Sequence, residues 1–198
     1  MYIRITLFAT AILLCFQLKA QSVHYGITAD INANMMNANG VSSKSLVGYN
    51  GGAFATVDIN KRWSLQPEVL YTSKNVQKAG DFMTYYVNSG NSFANTNISL
   101  HYISVPVLLN YHLSQLLTVN AGPEYSFLIY HNDDLLYSGK SAFKNNEVGI
   151  SAGLQLAFSP ALNLFGSYYY GLSNINNIDS RYNWYSRQLR IGIICRIF

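Results

Sequence analysis

The sequence predicts an all-β fold, an eight-stranded antiparallel up-and-down transmembrane β-barrel. Three observations predict it. Apolar residues recur at every second position along most of the chain, which is the spacing of a strand with two unlike faces. The connections between these runs alternate short and long. Finally, the 198 residues are 49% hydrophobic but only 11% charged, against roughly 25% charged in ordinary soluble domains. No stretch of about 18 apolar residues could form a membrane-crossing helix, and 16 Tyr with 10 Phe exclude a disordered chain.

Residues 1–20 read as a secretory signal peptide, with Arg4 near the start, the apolar segment Ile5 to Phe16, and Ala20 before Gln21. Cys15 is a poor lipoprotein site because Leu14 stands where a small residue is expected. Cleavage after Ala20 leaves residues 21–198 as the barrel domain. It also removes Arg4 and Lys19, so 13 basic residues become 11 against 9 acidic ones and the net charge falls from +4 to +2. No Lys/Arg cluster remains that could track a phosphate backbone, so nucleic acid is not an expected partner. Cys195 is then the single cysteine of the mature chain and has no internal disulfide partner.

The first strand sets Val23, Tyr25, Ile27, Ala29, Ile31 and Ala33 against His24, Gly26, Thr28, Asp30 and Asn32. Val47 to Ile59 repeats the pattern, and Trp63, Leu65, Pro67, Val69 and Tyr71 carry it through the third run. The fourth covers Ile98 to Leu113. Its apolar set is Ile103, Val105, Val107, Leu109 and Tyr111, whereas Ile98, Leu100 and Tyr102 have the opposite parity, which predicts a bulge near His101. Leu117 to Ile129, Val148 to Phe158, Leu162 to Tyr170 and Tyr185 to the end complete the eight. Pro67, Pro106 and Pro123 fall inside strands and are expected at bulges or register changes.

Three connections are short, around Asn60-Lys61-Arg62, Ser114-Gln115 and Ser159-Pro160-Ala161. The long ones are residues 35–45, 75–96, 131–145 and 173–184. Both ends of the mature chain fall on the short side. In bacterial outer-membrane barrels that side faces the periplasm, so the expected location is the Gram-negative cell outer membrane with both termini periplasmic.

An eight-stranded soluble barrel of lipocalin type would show the same periodicity with its apolar face inward. The residue chemistry favours the opposite arrangement. The polar set is mostly Gly, Ser, Asn and Thr, small enough for the cramped interior of an eight-stranded barrel. The apolar set ends in aromatics on both sides. Tyr25, Trp63, Tyr111 and Phe158 lie toward the short turns, and Tyr49, Tyr71, Tyr125, Phe127, Tyr168, Tyr170 and Tyr185 toward the long loops. Two such girdles mark the two interfaces of a bilayer, so the apolar face is expected against outer-membrane lipid.

The stretches Tyr102-Ile103-Ser104-Val105-Pro106-Val107-Leu108-Leu109-Asn110-Tyr111 and Ala121-Gly122-Pro123-Glu124-Tyr125 resemble the signature of PorT-like outer-membrane β-barrel proteins. Gln66-Pro67-Glu68-Val69-Leu70-Tyr71 and the closing run Gly192 to Phe198 are similar to that family too. The resemblance implies the barrel architecture and, through the family's name-giving member, a link to protein secretion. It also implies that the barrel-assembly machinery reads the C-terminal strand. Phe198 is the candidate signal, displaced by one residue from the apolar phase that Ile197 occupies.

Glu68, Glu124 and Arg190 belong to the polar phase at comparable height, and charges in a narrow interior must pair. Arg190 is therefore expected to bridge one or both carboxylates and close the lumen, leaving no open pore. The alternative function is a lipid A-modifying barrel enzyme, a deacylase or acyltransferase. That chemistry needs Ser, His and a carboxylate in reach, and the four His show no hydrolase spacing. His131-Asn132-Asp133-Asp134 has no recognised metal-ligand spacing either, so neither metal nor cofactor is expected. Lys44, Lys78, Lys140, Lys144 and Arg181, with Lys74 and Arg187 nearby, are candidates to meet lipopolysaccharide phosphates, and the extracellular loops could hold a protein partner. The chain thus reads as a structural or interaction protein with no enzymatic activity.

Overall fold

The computed structural model describes residues 22–38, 41–42, 46–78, 82–86, 97–131, 136, 141–179 and 181–197. Residues 1–20, expected to be a signal peptide, and Phe198 lie outside these described residues. Along the chain run β1 (Val23–Asn37), β2 (Val41–Ser42), β3 (Leu46–Asp58), β4 (Trp63–Lys78), one helical turn α1 (Phe82–Tyr85), β5 (Asn97–His112), β6 (Leu117–His131), β7 (Asn146–Ala157), β8 (Leu162–Gly171) and β9 (Tyr185–Ile197). β2 only lengthens one edge, pairing Val41 with Lys78 of β4. The other eight strands pair antiparallel in chain order, and β9 returns to β1 with Ile31 opposite Ile191. The result is a closed eight-stranded barrel. Closure matters because lipid offers no hydrogen bonds to an open sheet edge.

The short turns are set by single polar side chains. Asn60 Oδ1 accepts from the N–H groups of Arg62 and Trp63 at 2.9 and 3.0 Å. Ser114 Oγ does the same for Leu116 and Leu117, and Ser159 Oγ for Leu162. Each supplies a local acceptor that reverses the chain in a few residues.

Burial alternates as the periodicity predicts, with the polar phase inside. On β1, Thr28, Asp30, Asn32 and Asn34 are buried while Tyr25, Ile27 and Ile31 are exposed. β7 exposes Val148, Ile150, Leu154 and Leu156 and buries Glu147, Ser151 and Gln155. This is the reverse of a soluble barrel. Small lumen residues make room for large ones: a Cβ on Gly149 would lie 2.5 Å from the Tyr169 ring.

Two local expectations need correction. β5 keeps one parity throughout, and Ile98, Leu100 and Tyr102 are buried in the barrel mouth. The register shift does sit beside His101, but the extra residue belongs to β6, where Leu128 faces Tyr102 and Tyr130 faces His101. The bulge therefore turns Tyr130 outward, where it is exposed. The three strand prolines are not bulges. Pairing runs from Phe54↔Glu68 to Val57↔Leu65, from Pro67↔Val107 to Leu70↔Ser104, and from Pro106↔Glu124 to Leu109↔Ala121 with unchanged register. Each proline lacks an N–H to donate, so rungs are missing from the ladder without any slip of the strands.

At the long-loop end an apolar core fills the mouth. It brings together Met36, Val76, Ile98, Leu100, Tyr102 and Leu128 from the strands with Tyr86, Phe143, Ile175 and Trp184 from the connections. The β6–β7 and β8–β9 connections clasp each other through Lys144 N–H to Ile175 O and Asn177 N–H to Ala142 O, at 2.8 and 3.0 Å. Trp184 Nε1 donates to the Tyr86 hydroxyl at 3.0 Å.

Candidate functional site

Below that apolar cap the lumen is crossed by charged side chains. Arg190 projects inward from β9 and meets Glu124 of β6 through two parallel hydrogen bonds, Nη1 to Oε2 at 2.9 Å and Nη2 to Oε1 at 2.8 Å. This fork geometry matches the plane of the guanidinium to that of the carboxylate. Ser151 Oγ of β7 donates to Glu124 Oε2 at 2.6 Å, and Arg190 Nε donates to Gln188 Oε1 at 2.9 Å. The Tyr169 ring lies 5.1 Å from the guanidinium carbon, within cation–π range.

Glu68, the other expected carboxylate, is oriented differently. It accepts from Gln66 Nε2 at 2.7 Å, and Gln66 in turn accepts from Asn110 at 3.0 Å. Arg190 is thus placed with Glu124 and not with Glu68. Asp30 on β1 also faces the lumen and accepts from Asn50 at 2.8 Å. Asp30, Glu68, Ser151 and Arg190 line a cavity of about 30 Å³, room on the scale of a single water.

A second ion pair sits nearer the long loops. Lys74 Nζ donates to Glu147 Oε2 at 2.7 Å and to Ser186 Oγ at 3.3 Å, between the rings of Tyr102 and Tyr169 at 4.7 and 4.9 Å. The Tyr169 hydroxyl donates to Glu147 Oε1 at 2.8 Å. Tyr169 therefore links the two pairs, its hydroxyl on one and its ring beside the other. Sequence reading missed this pairing, although Lys74 and Glu147 are in the polar phase; their partnership needs the barrel to bring β4 opposite β7. It corrects one expectation, because Lys74 is buried in the lumen and unavailable to lipopolysaccharide.

Of the other basic candidates, Lys144 is exposed, Arg187 is part-exposed with its guanidinium 5.2 Å from the Tyr170 ring, and Arg181 is exposed beside Asp179. The Arg181 guanidinium holds the Asp179 carboxyl below the usual carboxylate range through hydrogen bonds to both of its oxygens. Lys44 and Lys140, and the side chain of Lys78, lie outside the described residues, as do Asn132, Asp133 and Asp134.

The aromatic residues take two levels. Trp63 and Tyr111 are 4.6 Å apart at the short-turn end, with Tyr25 and Phe158 exposed at the same level. At the other end Tyr49, Tyr71, Tyr125, Phe127, Tyr168 and Tyr170 are exposed, and Tyr185 is part-exposed. His101 and Tyr130 extend that row: His101 Nδ1 is 2.8 Å from the Tyr71 hydroxyl and its ring 5.5 Å from that of Tyr130. Neither was legible as a girdle member, because the β6 bulge decides where Tyr130 points.

The histidines form no hydrolase arrangement among the described residues. His112 Nε2 lies 3.1 Å from Ser64 Oγ, but its Nδ1 faces Thr118 Oγ1 at 2.9 Å where a carboxylate would be needed.

An apolar outer wall, a pinned polar lumen and closed strand pairing define a membrane-spanning β-barrel. The chain belongs to the family described as the outer membrane protein beta-barrel domain, whose model matches residues 19–177. It is accordingly an outer-membrane β-barrel protein. That description covers the barrel domain in general and does not name the PorT-like group. None of the curated proteins compared matches the chain. Among solved structures it is similar to neisserial surface protein A, at 18% identity and TM-score 0.58 over 89% of this chain and 99% of that one. It is also similar to Ail, the attachment invasion locus protein of Yersinia pestis, in a complex with the heparin analogue sucrose octasulfate. There the identity is 14% and the TM-score 0.53, over 89% of this chain and 99% of that one. At such identities the likeness is one of fold.

Proposed function

We propose that this protein is a closed interaction platform of the outer membrane, with both mature termini in the periplasm and the long loops facing outward. The observation that carries the reading is the doubly blocked lumen. Arg190 and Glu124 cross it at mid-height, and the apolar core around Trp184 and Phe143 fills its outer mouth. Among the described residues the lumen is filled along its axis, which favours the loop surface as the working part. The resemblance to PorT-like proteins supports a partner connected with protein secretion. Lipopolysaccharide is the lipid expected around the outer girdle, and the exposure of Lys144 and Arg187 supports contact with its phosphates. The barrel-assembly machinery is the expected partner during insertion, with Phe198 as its signal.

In-cell crosslinking followed by co-purification from outer membranes tests the reading. A specific protein recovered in a loop-dependent manner is the expected result. Recovery unaffected by exchanging residues 173–184 for a Gly/Ser linker of equal length would count against it. Mass spectrometry of lipid A from cells with and without the protein should show no change; a deacylated or acylated product would establish the enzyme instead.

A further inference from the structure

The short-turn end of the barrel holds a second cavity, which shares Gln155 with the small lumen cavity above it. This cavity of about 440 Å³ opens at this mouth, and Lys61, Arg62, His112, Gln155, Asn163 and Arg196 contribute to its lining. Its size is that of a small-molecule site, roughly 300–1,000 Å³. No carboxylate lines it among the described residues. The nearby acid is Asp58, which His24 Nε2 engages at 3.4 Å.

The cationic groups come from separate elements held in place by their backbones. Lys61 and Arg62 sit on the β3–β4 turn that Asn60 fixes. The His112 N–H donates to Arg62 O and the Arg196 N–H to Ala161 O, each at 2.8 Å. The His112 ring is held between Ser64 and Thr118. On the lumen side, Gln155 and Asn163 are buried neutral amides, 4% and 5% exposed, suited to hydroxyl groups and not to a second charge.

We infer that this mouth is a binding site for a small phosphate ester with a hydroxylated body, such as a sugar phosphate. Two guanidinium groups and an ammonium surround the phosphate, for which Arg is the best-matched side chain. The amides of Gln155 and Asn163 receive the polar body. Inorganic phosphate alone leaves most of the cavity to water, and a neutral sugar leaves the cations without a counter-charge. The inference is independent of which side of the membrane the short turns face.

The experiment is calorimetric titration of the full barrel in phosphatidylcholine nanodiscs with glucose 6-phosphate, inorganic phosphate and glucose. Glucose 6-phosphate should bind saturably with a Kd on the order of 1 mM or tighter, more tightly than inorganic phosphate, and glucose should not bind. Arg196→Gln and Arg62→Gln should each weaken binding by about tenfold, the scale of one charge-assisted hydrogen bond. Arg62 lies on an exposed turn, so its substitution leaves the barrel folded, and Arg181→Gln at the opposite end should change nothing. Absence of binding by protein that still shows a β-sheet circular dichroism spectrum overturns the proposal, as does equal binding of glucose or indifference to both Arg substitutions. Adding phosphatidylglycerol to the nanodiscs separates the sources of phosphate. Unchanged affinity supports a soluble ester, and a loss of affinity would assign the pocket to a lipid headgroup and overturn it.

Discussion

Arg190 is the residue on which the lumen depends. Its charge is buried, and both faces of its fork are engaged by Glu124, Gln188 and Tyr169. Replacing it with Ala leaves the Glu124 carboxylate enclosed without a counter-charge, which in buried pairs costs roughly 3–5 kcal/mol. We expect Arg190→Ala to lower the urea midpoint of the barrel in detergent micelles, and Glu124→Gln added to it to recover part of the loss. An unchanged midpoint in the single variant would mean that the pair does not hold the wall together. The alternating phase makes Glu68, Glu124 and Arg190 legible as lumen residues, but not their pairing. Side-chain direction follows from parity along one strand, whereas Glu124 on β6 reaches Arg190 on β9 only across the closed barrel.

At the scale of elements, strands and connections differ in what holds them. The strands are tied on both sides by ladders, while the long connections depend on packing at the mouth. Trp184 is the largest side chain of that packing and is fully buried. Trp184→Ala should cost about 3–5 kcal/mol locally, as truncation of buried aromatics does. The loss should fall on the cap, because openings of this kind are local and the barrel ladders do not share the contact. Limited proteolysis should therefore cut the β6–β7 and β8–β9 connections faster, while unheated samples keep their fast, compact migration in SDS gels. Loss of that migration would show that cap and barrel unfold together. The opposite parity of Ile98, Leu100 and Tyr102 was visible in the sequence. Its cause was not, since apolar residues inside a polar lumen make sense only once Phe143, Ile175 and Trp184 cover them. The strand prolines were likewise visible, and their effect was decided by their neighbours. A missing donor can be met by a bulge or by an unfilled rung, and fixed register on both sides of each proline leaves only the second.

At the scale of the molecule, the two blocks in series predict electrical silence. The protein reconstituted in planar lipid bilayers should give no stable conductance steps. Arg190→Ala combined with Glu124→Ala removes one block and leaves the apolar cap, so it too should stay silent. Shortening the β8–β9 connection and replacing Lys74 and Glu147 with Ala in that background should produce steps, because the second ion pair also crosses the lumen. Regular conductance in the unmodified protein would contradict a closed lumen.

By itself the sequence determined the number of barrel strands, the order of short and long connections and the identity of the lipid face. These are consequences of a period of two and of the size and polarity of alternate residues, which each strand carries without help from its neighbours. Only the tertiary structure decided that Lys74 pairs with Glu147, that Tyr130 points outward, and that Lys61, Arg62 and Arg196 converge on one cavity. The second depends on the bulge in the β5–β6 pairing, and the first and the third on closure, which places residues 73 and more than a hundred positions apart across one narrow interior. No local pattern encodes that distance.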